Sequence, residues 1–309
     1  MLRVIVLGAA AGGGLPQWNC GCNVCRAARH QPELQGSQAS IAVSVDDANW
    51  FLVNAAPDLR QQLNVTPQLH PGPGHLRHTP IAGVILTNGE VDAVAGLLSM
   101  REGSPFTLYA HQRVLAILKA NSIFNVLSET NVRREAIAID RNFEPTLPDG
   151  SPSGIDVLPF AVPGKSAWYL EGEQHPAGAA DDDGDTLGLR IEDKASGQHF
   201  FFIAACARVT PELKRRLKGA PLVLFDGTVW HDNELIDAGL GVKTGQRMGH
   251  LSMSGHDGAL AMLADAGIAR KYFLHINNSN PAWLPESRQR EELEKAGWKM
   301  PHDGLEISL

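Results

Sequence analysis

The chain has 309 residues, of which 43% are hydrophobic and 20% are charged, and its formal net charge is -7. This composition is typical of a soluble globular protein, and the acidic balance argues against a general nucleic-acid-binding protein. No apolar run reaches the roughly 20 residues that a membrane helix needs. The first apolar segment is too short, and too quickly followed by glycines, to be a signal peptide. We therefore expect a cytoplasmic protein without nucleic-acid or membrane partners.

The first predicted strand, residues 1–8, runs into a loop of three alanines and three glycines at 9–14. The loop resembles a phosphate-binding loop, but no Gly-Lys-[Ser/Thr] follows it, and the spacing of a dinucleotide-binding turn does not fit. A tight turn that allows a close approach of the backbone is the favoured interpretation.

Three of the four cysteines follow within a few residues, as Cys20, Cys22 and Cys25. Thiolates at this spacing can share one tetrahedral zinc ion, and Gly21 is predicted to let the chain wrap tightly around it. Three unrelated thiols or a redox pair are the alternatives. A fourth ligand must come from elsewhere in the chain. Cys206 follows an apolar run and is predicted to be a buried core thiol instead.

The rest of the chain alternates between short apolar segments and amphipathic ones, without a repeat or a long linker. Strands are predicted at 40–44, 50–54, 84–86, 106–110, 155–163, 187–191, 199–203, 222–228, 271–276 and near 307. Helices are predicted from Asp58 onwards and at 112–122, 210–217, 253–266 and 287–297. We expect exposed loops at 68–80 and at 171–185, the second of them acidic, mobile and able to cover a pocket. These elements predict a single domain, 1–309, in which two β-sheets pack face to face with helices on the outer surfaces.

The stretch 84–98 is the centre of the predicted site. It begins as a buried strand, passes through a polar turn and continues into a helix-compatible segment. Asn88, Glu90 and Asp92 alternate, and they would point the same way if the turn stayed extended. The two carboxylates would then repel each other unless a proton or a cation lay between them.

Other acids and histidines also follow apolar strands, and we expect them at the same edge. Asp92, Asp226 and His275 each lie just past such a strand, and His250 lies in the nearby Arg-Met-Gly-His motif. A turn-forming acid or a satisfied histidine is the ordinary interpretation of each residue alone. Their convergence at strand ends favours a metal or catalytic site.

Several motifs carry a resemblance to a known family. They are Gly-Gly-Gly-Leu-Pro-Gln-Trp-Asn-Cys-Gly-Cys at 12–22, Asn-Ala-Ala-Pro-Asp-Leu-Arg at 54–60, Leu-Leu-Ser-Met-Arg-Glu-Gly at 97–103, Phe-Asp-Gly-Thr at 225–228, Arg-Met-Gly-His at 247–250 and His-Ile-Asn-Asn-Ser-Asn-Pro at 275–281. With them the whole chain resembles the coenzyme PQQ synthesis protein B family of the metallo-β-lactamase superfamily. The resemblance implies an α/β fold, the αβ/βα sandwich of two mixed β-sheets flanked by helices. It also implies a role in making pyrroloquinoline quinone (PQQ) from a glutamate and a tyrosine of a precursor peptide.

The same resemblance implies a metal site. The superfamily pattern His-x-His-x-Asp-His falls on Asn88, Glu90, Asp92 and Ala93. The family implies one active-site metal held by Glu90, Asp92, the residue after Asp92, and His275. Ala93 stands at the expected histidine position and has no donor atom. The acids and imidazole that remain suit iron(II) with open coordination positions better than a closed zinc site, and we expect iron to bind weakly or not at all.

The cysteine cluster is similar to that of cyclic phosphodiesterases of phosphonate metabolism. There, a histidine three positions after the active-site histidine completes a zinc site. Asn278 is the equivalent residue here and is a candidate fourth ligand, with water or another side chain as alternatives. The resemblance thus implies a structural zinc in addition to the iron.

The first functional hypothesis is an iron-dependent oxygenase that hydroxylates the tyrosine ring of the Glu-Tyr precursor. Asp226 and His250 would support the metal ligands or transfer protons. Four cations are expected to pair with substrate carboxylates: Arg101, Lys165, Lys243 and Arg247. The alternatives are a carrier of PQQ or its precursor, which matches an older label of the family, and a residual metallohydrolase. A homodimer is left open.

Overall fold

The computed structural model describes residues 1–170 and 184–309. The predicted mobile loop at 171–185 lies outside the described residues except for its last two positions. Within the described ranges, no helix has the length and apolar character needed to cross a membrane.

Thirteen strands and eight α-helices are found in the described part of the chain. The strands are β1 (Arg3–Gly8), β2 (Ser40–Ser44), β3 (Trp50–Val53), β4 (Ile81–Ile85), β5 (Phe106–His111), β6 (Val132–Ile137), β7 (Ile155–Ala161), β8 (Leu187–Asp193), β9 (His199–Ile203), β10 (Leu222–Asp226), β11 (Arg270–Leu274), β12 (Trp298–Lys299) and β13 (Leu305–Ser308). The helices are α1 (Asn23–His30), α2 (Leu59–Val65), α3 (Val91–Val94), α4 (Gln112–Ala120), α5 (Pro211–Leu217), α6 (Glu234–Asp237), α7 (Ala259–Met262) and α8 (Arg288–Lys295).

The strands form two mixed sheets. The first has the order β13-β1-β2-β3-β4-β5-β6, antiparallel from β13 to β3 and parallel from β3 to β6. The second has the order β12-β11-β10-β9-β8-β7, parallel from β12 to β9 and antiparallel from β9 to β7. This arrangement confirms the predicted fold class.

Alternation along β1 shows how one strand serves both faces of its sheet. Val4 and Val6 belong to the larger apolar cluster, which also holds Phe200 and Phe202 of β9 in the other sheet. Ile5, between them, belongs to a second cluster with residues of the flanking helices α2 and α4. Because successive side chains of a strand point to opposite faces, the first cluster includes the core between the sheets, and it continues under α1, α5 and α8. The second cluster lies on the outer face of the first sheet, under α2 and α4.

The structure differs from the predicted elements in several places. The helix expected at 253–266 is reduced to α7, because Gly255 has a φ of +94°, which a right-handed helix cannot contain. After the central turn, α3 has four residues and continues as a 3₁₀ segment, Ala95–Met100. The strand β6 was missed because its sequence, Val-Arg-Arg-Glu-Ala-Ile, is polar and buried only at its ends.

The carboxyl ends of β4, β10 and β11 lie at one edge of the sandwich. The turn after β4 carries Asp92, β10 ends in Asp226, and His275 directly follows β11. The parallel register of β10 and β11 pairs Asp226 with Leu274, the residue before His275. Side chains that lie far apart in sequence therefore meet at this edge.

Candidate active site and cysteine cluster

A cavity of about 700 Å³ opens at this edge. Its wall combines the glycine loop after β1, the turn after β4 and the loops that follow β7, β10 and β11. Residues in this wall include Gly12, Gln38, Glu90, Asp92, Lys165, Trp168, Thr228, Lys243, His250, His275 and Asn277. The glycine loop therefore contributes to the cavity wall, where a Cβ at Gly12 would lie 3.4 Å from Asp92 Oδ2.

Asp92 and His275 are in direct contact across the two sheets. Asp92 Oδ2 lies 2.7 Å from His275 Nε2. Burial disfavours the charged form of each group, but the mutual contact prevails and lowers the pKa of Asp92 while it raises the pKa of His275. The two atoms therefore hold a proton between them, or a cation in its place.

Glu90 does not stand beside Asp92 in the way an extended turn would require. The helix α3 begins at Val91, so the alternation of the strand ends before Asp92. The Glu90 carboxylate accepts hydrogen bonds from Lys165 Nζ at 3.1 Å and from the backbone N–H of Trp168 at 3.0 Å. The predicted side-by-side pair is wrong, since each carboxylate has its own partner. Glu90 still lines the cavity, and its role as a metal ligand stays a prediction.

Asp226 is fully buried and supports His250. Its Oδ2 atom accepts from His250 Nδ1 at 2.7 Å and from the Cys206 backbone N–H at 2.8 Å. Its Oδ1 atom accepts from the Thr228 N–H at 3.0 Å and from the Thr228 hydroxyl at 2.7 Å. Four donors occupy the lone pairs of this carboxylate. Asp226 therefore orients the groups that donate to it, and the imidazoles of His250 and His275 are the side chains that line the cavity.

The donor atoms of Asp226, His250 and His275 lie within 4.8 Å of one another. The two imidazole rings stack with their centroids 4.9 Å apart and their planes at 18°. The structure thus brings together Asp92, Asp226, His250 and His275, as the strand-end pattern predicted. Thr228, which contacts three of these four residues, was missed.

Ala93 is 3% exposed and belongs to the apolar cluster under the outer helices. Its backbone carbonyl accepts a hydrogen bond from the Ala55 N–H at 2.7 Å. Whether position 93 belongs to a metal site remains a prediction.

The predicted cations are only partly brought together. Lys165 and Lys243 line the cavity, and Lys243 Nζ lies 6.0 Å from the centre of the Trp168 ring. Arg101 lies outside the described lining and contacts Glu102 and the Leu98 carbonyl instead. Arg247 also lies outside that lining, on an exposed 3₁₀ turn, Gln246–Met248.

The second group of donors is the cysteine cluster. The Sγ atoms of Cys20, Cys22 and Cys25 lie within 4.8 Å of one another, and α1 begins directly after Cys22. Burial raises the pKa of Cys22 to about 11. At Cys20 burial acts in the same direction, but the hydrogen bonds from the Cys22 amide and from the side chains of Cys22, Cys25 and Asn278 together outweigh it and lower the pKa. Three adjacent thiols cannot all ionise without a cation, and this donor set fits zinc.

Asn278 lies at the cysteine cluster, where the resemblance predicted it. Its amide nitrogen donates to Cys25 Sγ at 3.2 Å, and its backbone carbonyl lies 3.7 Å from Cys22 Sγ. Gly21 does not have the predicted role, because its φ is not left-handed and a Cβ there would meet nothing within 4 Å. Cys206 is buried away from the cluster, with its Sγ 3.1 Å from the Arg208 carbonyl, and burial raises its pKa. Its prediction as a core thiol is confirmed.

Comparison with known proteins identifies the family. A model of the beta-lactamase superfamily domain matches residues 49–276. A coenzyme PQQ synthesis protein B from Bradyrhizobium diazoefficiens is 70% identical over 310 residues, with all of both chains covered, and one from Rhodopseudomonas palustris BisB5 is 69% identical over 309 residues. The chain belongs to the coenzyme PQQ synthesis protein B family.

Solved structures agree with this assignment. The zinc-bound PqqB from Methylobacterium extorquens is 47% identical and superposes with a TM-score of 0.93, over 99% of this chain and 100% of that one. A diphosphatase of the PhnP family shares the fold at 18% identity, with a TM-score of 0.68 over 100% of this chain and 98% of that one. The predicted membership of the PQQ synthesis protein B family is therefore confirmed.

Proposed function

We propose that this chain acts in PQQ biosynthesis as an iron(II)- and dioxygen-dependent hydroxylase of the tyrosine ring of the Glu-Tyr precursor. Membership of the coenzyme PQQ synthesis protein B family supports the pathway. The observation that carries the chemistry is the contact between Asp92 Oδ2 and His275 Nε2, 2.7 Å long, in the cavity wall. A carboxylate and an imidazole that must share a proton or a cation are a donor set suited to a divalent metal.

The residues that would hold the metal are Asp92 and His275, with Glu90 as the third ligand that the family implies. Iron(II) bound there would supply the activation of dioxygen that hydroxylation of an aromatic ring requires. The hydrogen bonds from Lys165 and Trp168 both end on Oε1 of Glu90, so Oε2 is the oxygen that would turn toward the metal.

His250 is the residue best arranged to move a proton. Asp226 Oδ2 accepts its Nδ1–H, and Asp226 is itself held by two backbone N–H groups. This leaves Nε2 of a cavity-lining imidazole to accept a proton from the substrate phenol or ring. The buried aspartate would stabilise the imidazolium that results.

Lys165 and Lys243 would bind the substrate through its carboxylates. Both line the cavity, and a precursor made of glutamate and tyrosine carries several carboxylate oxygens. Trp168 lies beside them with 65% of its surface exposed, so a tyrosine ring can stack on it. These contacts favour an acidic aromatic compound over a neutral substrate.

We further propose that Cys20, Cys22 and Cys25 hold a structural zinc ion. Three adjacent sulfur atoms and Asn278 form a compact donor set at the start of α1. The related PqqB from Methylobacterium extorquens is zinc-bound. This zinc would stabilise the loop that leads into the cavity wall and would take no part in the reaction.

A second candidate function is a carrier of PQQ or its precursor. The buried methyl of Ala93, at a position where the family implies a histidine, favours it. A cavity with cations and an aromatic rim can bind the compound without a metal. The two functions are distinguished by whether the bound compound is chemically changed.

The test incubates the chain and its Ala93→His variant with iron(II), dioxygen, a two-electron reductant such as ascorbate, and a Glu-Tyr dipeptide, since one oxygen atom enters the ring and the other must be reduced to water. We expect a product that is heavier by one oxygen atom, formed faster by the variant. The matched control is Asp92→Asn, which keeps the shape of the side chain but loses its charge. A variant that binds iron without forming this product contradicts the hydroxylase. Unchanged, tightly bound compound would support carriage, and hydrolysis of a phosphodiester would support a residual hydrolase.

A further inference from the structure

Thr228 lies where the two cavity imidazoles meet. It is 4% exposed and follows β10 by two residues. Its hydroxyl oxygen lies 2.8 Å from His275 Nδ1, 3.0 Å from His250 Nδ1, 2.7 Å from Asp226 Oδ1 and 2.9 Å from the His275 carbonyl oxygen. One side-chain atom therefore contacts three residues of the site.

The hydroxyl can satisfy these four contacts in only one general way. It has a single proton to donate and two lone pairs that accept. The Asp226 carboxylate and the His275 carbonyl have no proton to give, so the hydroxyl proton must lie toward them. Both lone pairs then face the imidazole nitrogens, and each of those nitrogens must carry a proton.

This proton arrangement determines the state of both rings. His250 and His275 each carry a proton on Nδ1, so Nε2 is the atom of each ring that remains for the cavity. At His275 that atom is the one that faces Asp92 Oδ2. An imidazole that donates through one nitrogen and binds a metal through the other is the common arrangement in metal sites.

The threonine is itself held firmly. Its N–H donates to Asp226 Oδ1 at 3.0 Å, and its carbonyl accepts the Asn277 N–H at 3.0 Å. The hydroxyl also donates to the backbone of His275, which has a left-handed φ of +56° that a non-glycine residue rarely adopts. Thr228 thus supports both the ring and the main chain of His275.

We propose that Thr228 is the positioning residue of this site, and that its hydroxyl holds His275 in the Nδ1–H form so that Nε2 of this ring is presented to Asp92 and the cavity, while Asp226 Oδ2 holds the Nδ1 proton of His250. The inference concerns the site on which the proposed hydroxylase rests. It predicts proton positions in the rings, which can be measured without any substrate turnover. Failure of the hydroxylase and failure of this assignment are therefore distinguishable.

The test is a two-bond ¹H–¹⁵N correlation spectrum of protein labelled with ¹⁵N-histidine. The sample is kept slightly alkaline, after dialysis against a chelator too weak to remove thiolate-bound zinc. We expect a proton on Nδ1 of both His250 and His275 in the parent chain. In Thr228→Val, His275 should lose the proton on Nδ1 and keep the proton on Nε2, which Asp92 accepts. His250 should keep its Nδ1 proton, because Asp226 Oδ2 still accepts it.

Two further variants control for the loss of a hydroxyl as such. Thr228→Ser keeps the hydroxyl and should retain the parental spectrum. Thr186→Val removes another hydroxyl from the cavity wall, one that contacts the Lys165 carbonyl at 3.3 Å, and it should also leave both rings unchanged. An unprotonated Nδ1 on His275 in the parent overturns the proposal, whether or not Thr228→Val folds. An unchanged His275 in folded Thr228→Val overturns it as well.

Discussion

At the scale of single residues, the site depends on what lies between Asp92 Oδ2 and His275 Nε2. The contact of 2.7 Å joins two groups whose pKa values move apart, toward a carboxylate and an imidazolium. A divalent cation can replace the shared proton, and the strength of its binding then depends on the remaining ligands. Position 93 follows Asp92 directly and is one of the three positions, with 88 and 90, at which the chain departs from the superfamily pattern.

We expect Ala93→His to bind iron(II) at least about 10-fold more tightly than the parent chain, since even a residue behind the ligands changes affinity by about 10–100-fold. The larger side chain should also cost about 1–3 kcal/mol of stability, because it enters an apolar cluster. Paired anaerobic titrations with iron(II) measure the affinity. Ala93→Phe is the matched control, because it adds bulk without a donor and should gain no iron. Equal affinity of parent and Ala93→His would show that position 93 is not a ligand position.

The cysteine cluster makes a separate prediction. Cys22→Ala should lose about one zinc ion per chain and about 3 kcal/mol of folding free energy, because metal binding at such a site contributes to folding. Elemental analysis and thermal unfolding measure the two effects. Cys206→Ala removes a thiol that is buried outside the cluster, so it should keep the zinc. Stoichiometric zinc and an unchanged melting temperature in Cys22→Ala would rule the site out.

At the scale of elements, turns and close backbone contacts hold the strands that carry the site. The turn between β2 and β3 is organised by the Asp46 carboxylate, which accepts hydrogen bonds from the N–H groups of Ala48 and Asn49 and from the Asn49 side chain. Burial alone would raise the pKa of Asp46, but these hydrogen bonds prevail and lower it. The carboxylate therefore stabilises the turn in its ionised form.

Asp46→Ala should lower the free energy of unfolding by about 0.5–1 kcal/mol at neutral pH, since the turn is exposed and its hydrogen bonds are partly replaced by water. The lowered pKa means that this stabilisation is complete above the ordinary pKa of aspartate and is lost as the pH falls through the folded-state value. Urea unfolding at neutral and strongly acidic pH measures the difference. Asp46→Asn keeps one acceptor but cannot ionise, so the stability difference between Asp46→Asn and Asp46→Ala should not change with pH. A penalty that persists in strong acid would contradict this account.

A close approach of backbone holds the segment after α3 against the loop after β3. The Gly96 N–H donates to the Ala55 carbonyl at 2.8 Å, and a Cβ at Gly96 would lie 2.1 Å from the Ala56 carbonyl oxygen. Gly96→Ala should therefore cost about 1–3 kcal/mol of stability. Gly21→Ala is the control, because its Cβ would enter open space, and it should stay within about 0.5 kcal/mol of the parent. Equal stabilities in chemical denaturation would show that the segment can move away from Gly96.

At the scale of the whole molecule, the two sheets share one core. The larger apolar cluster draws residues from β1, β2 and β3 as well as from β7 to β11, and the site itself joins Asp92 of one sheet to residues that follow strands of the other. Neither sheet can bury its inner face without its partner. We therefore predict that the chain, as a single domain, unfolds in one cooperative step.

Phe202→Ala tests this prediction, because Phe202 is fully buried between the sheets. It should lower the free energy of unfolding by about 3–5 kcal/mol and keep a single transition. Val242→Ala, at a position 90% exposed, should change stability by less than about 0.5 kcal/mol. Calorimetry and tryptophan fluorescence should report the same midpoint. Two separate transitions would show that the sheets unfold independently.

The sequence by itself determined the elements whose signals are local. The apolar run of β9 agrees with its prediction at every residue, and the helices predicted to start at Thr210 and Ser287 begin directly after these two residues, whose side chains cap them. The cysteine spacing needed only the six residues from Cys20 to Cys25 to indicate one cluster. The family resemblance also came from short motifs, since unusual local sequences persist when the fold is conserved.

Only the tertiary structure decided how the site is assembled. The sequence placed Asp92, Asp226 and His275 just past strands. The parallel register of β10 and β11, and the packing of one sheet on the other, brought them together with His250. The sequence did not show that Glu90 contacts Lys165, because α3 starts at Val91 and ends the alternation of side chains that an extended turn would have. It did not single out Thr228, because one hydroxyl gains its role from partners up to 47 residues away. Periodicity describes where a side chain points from its own element, but contacts between elements depend on packing.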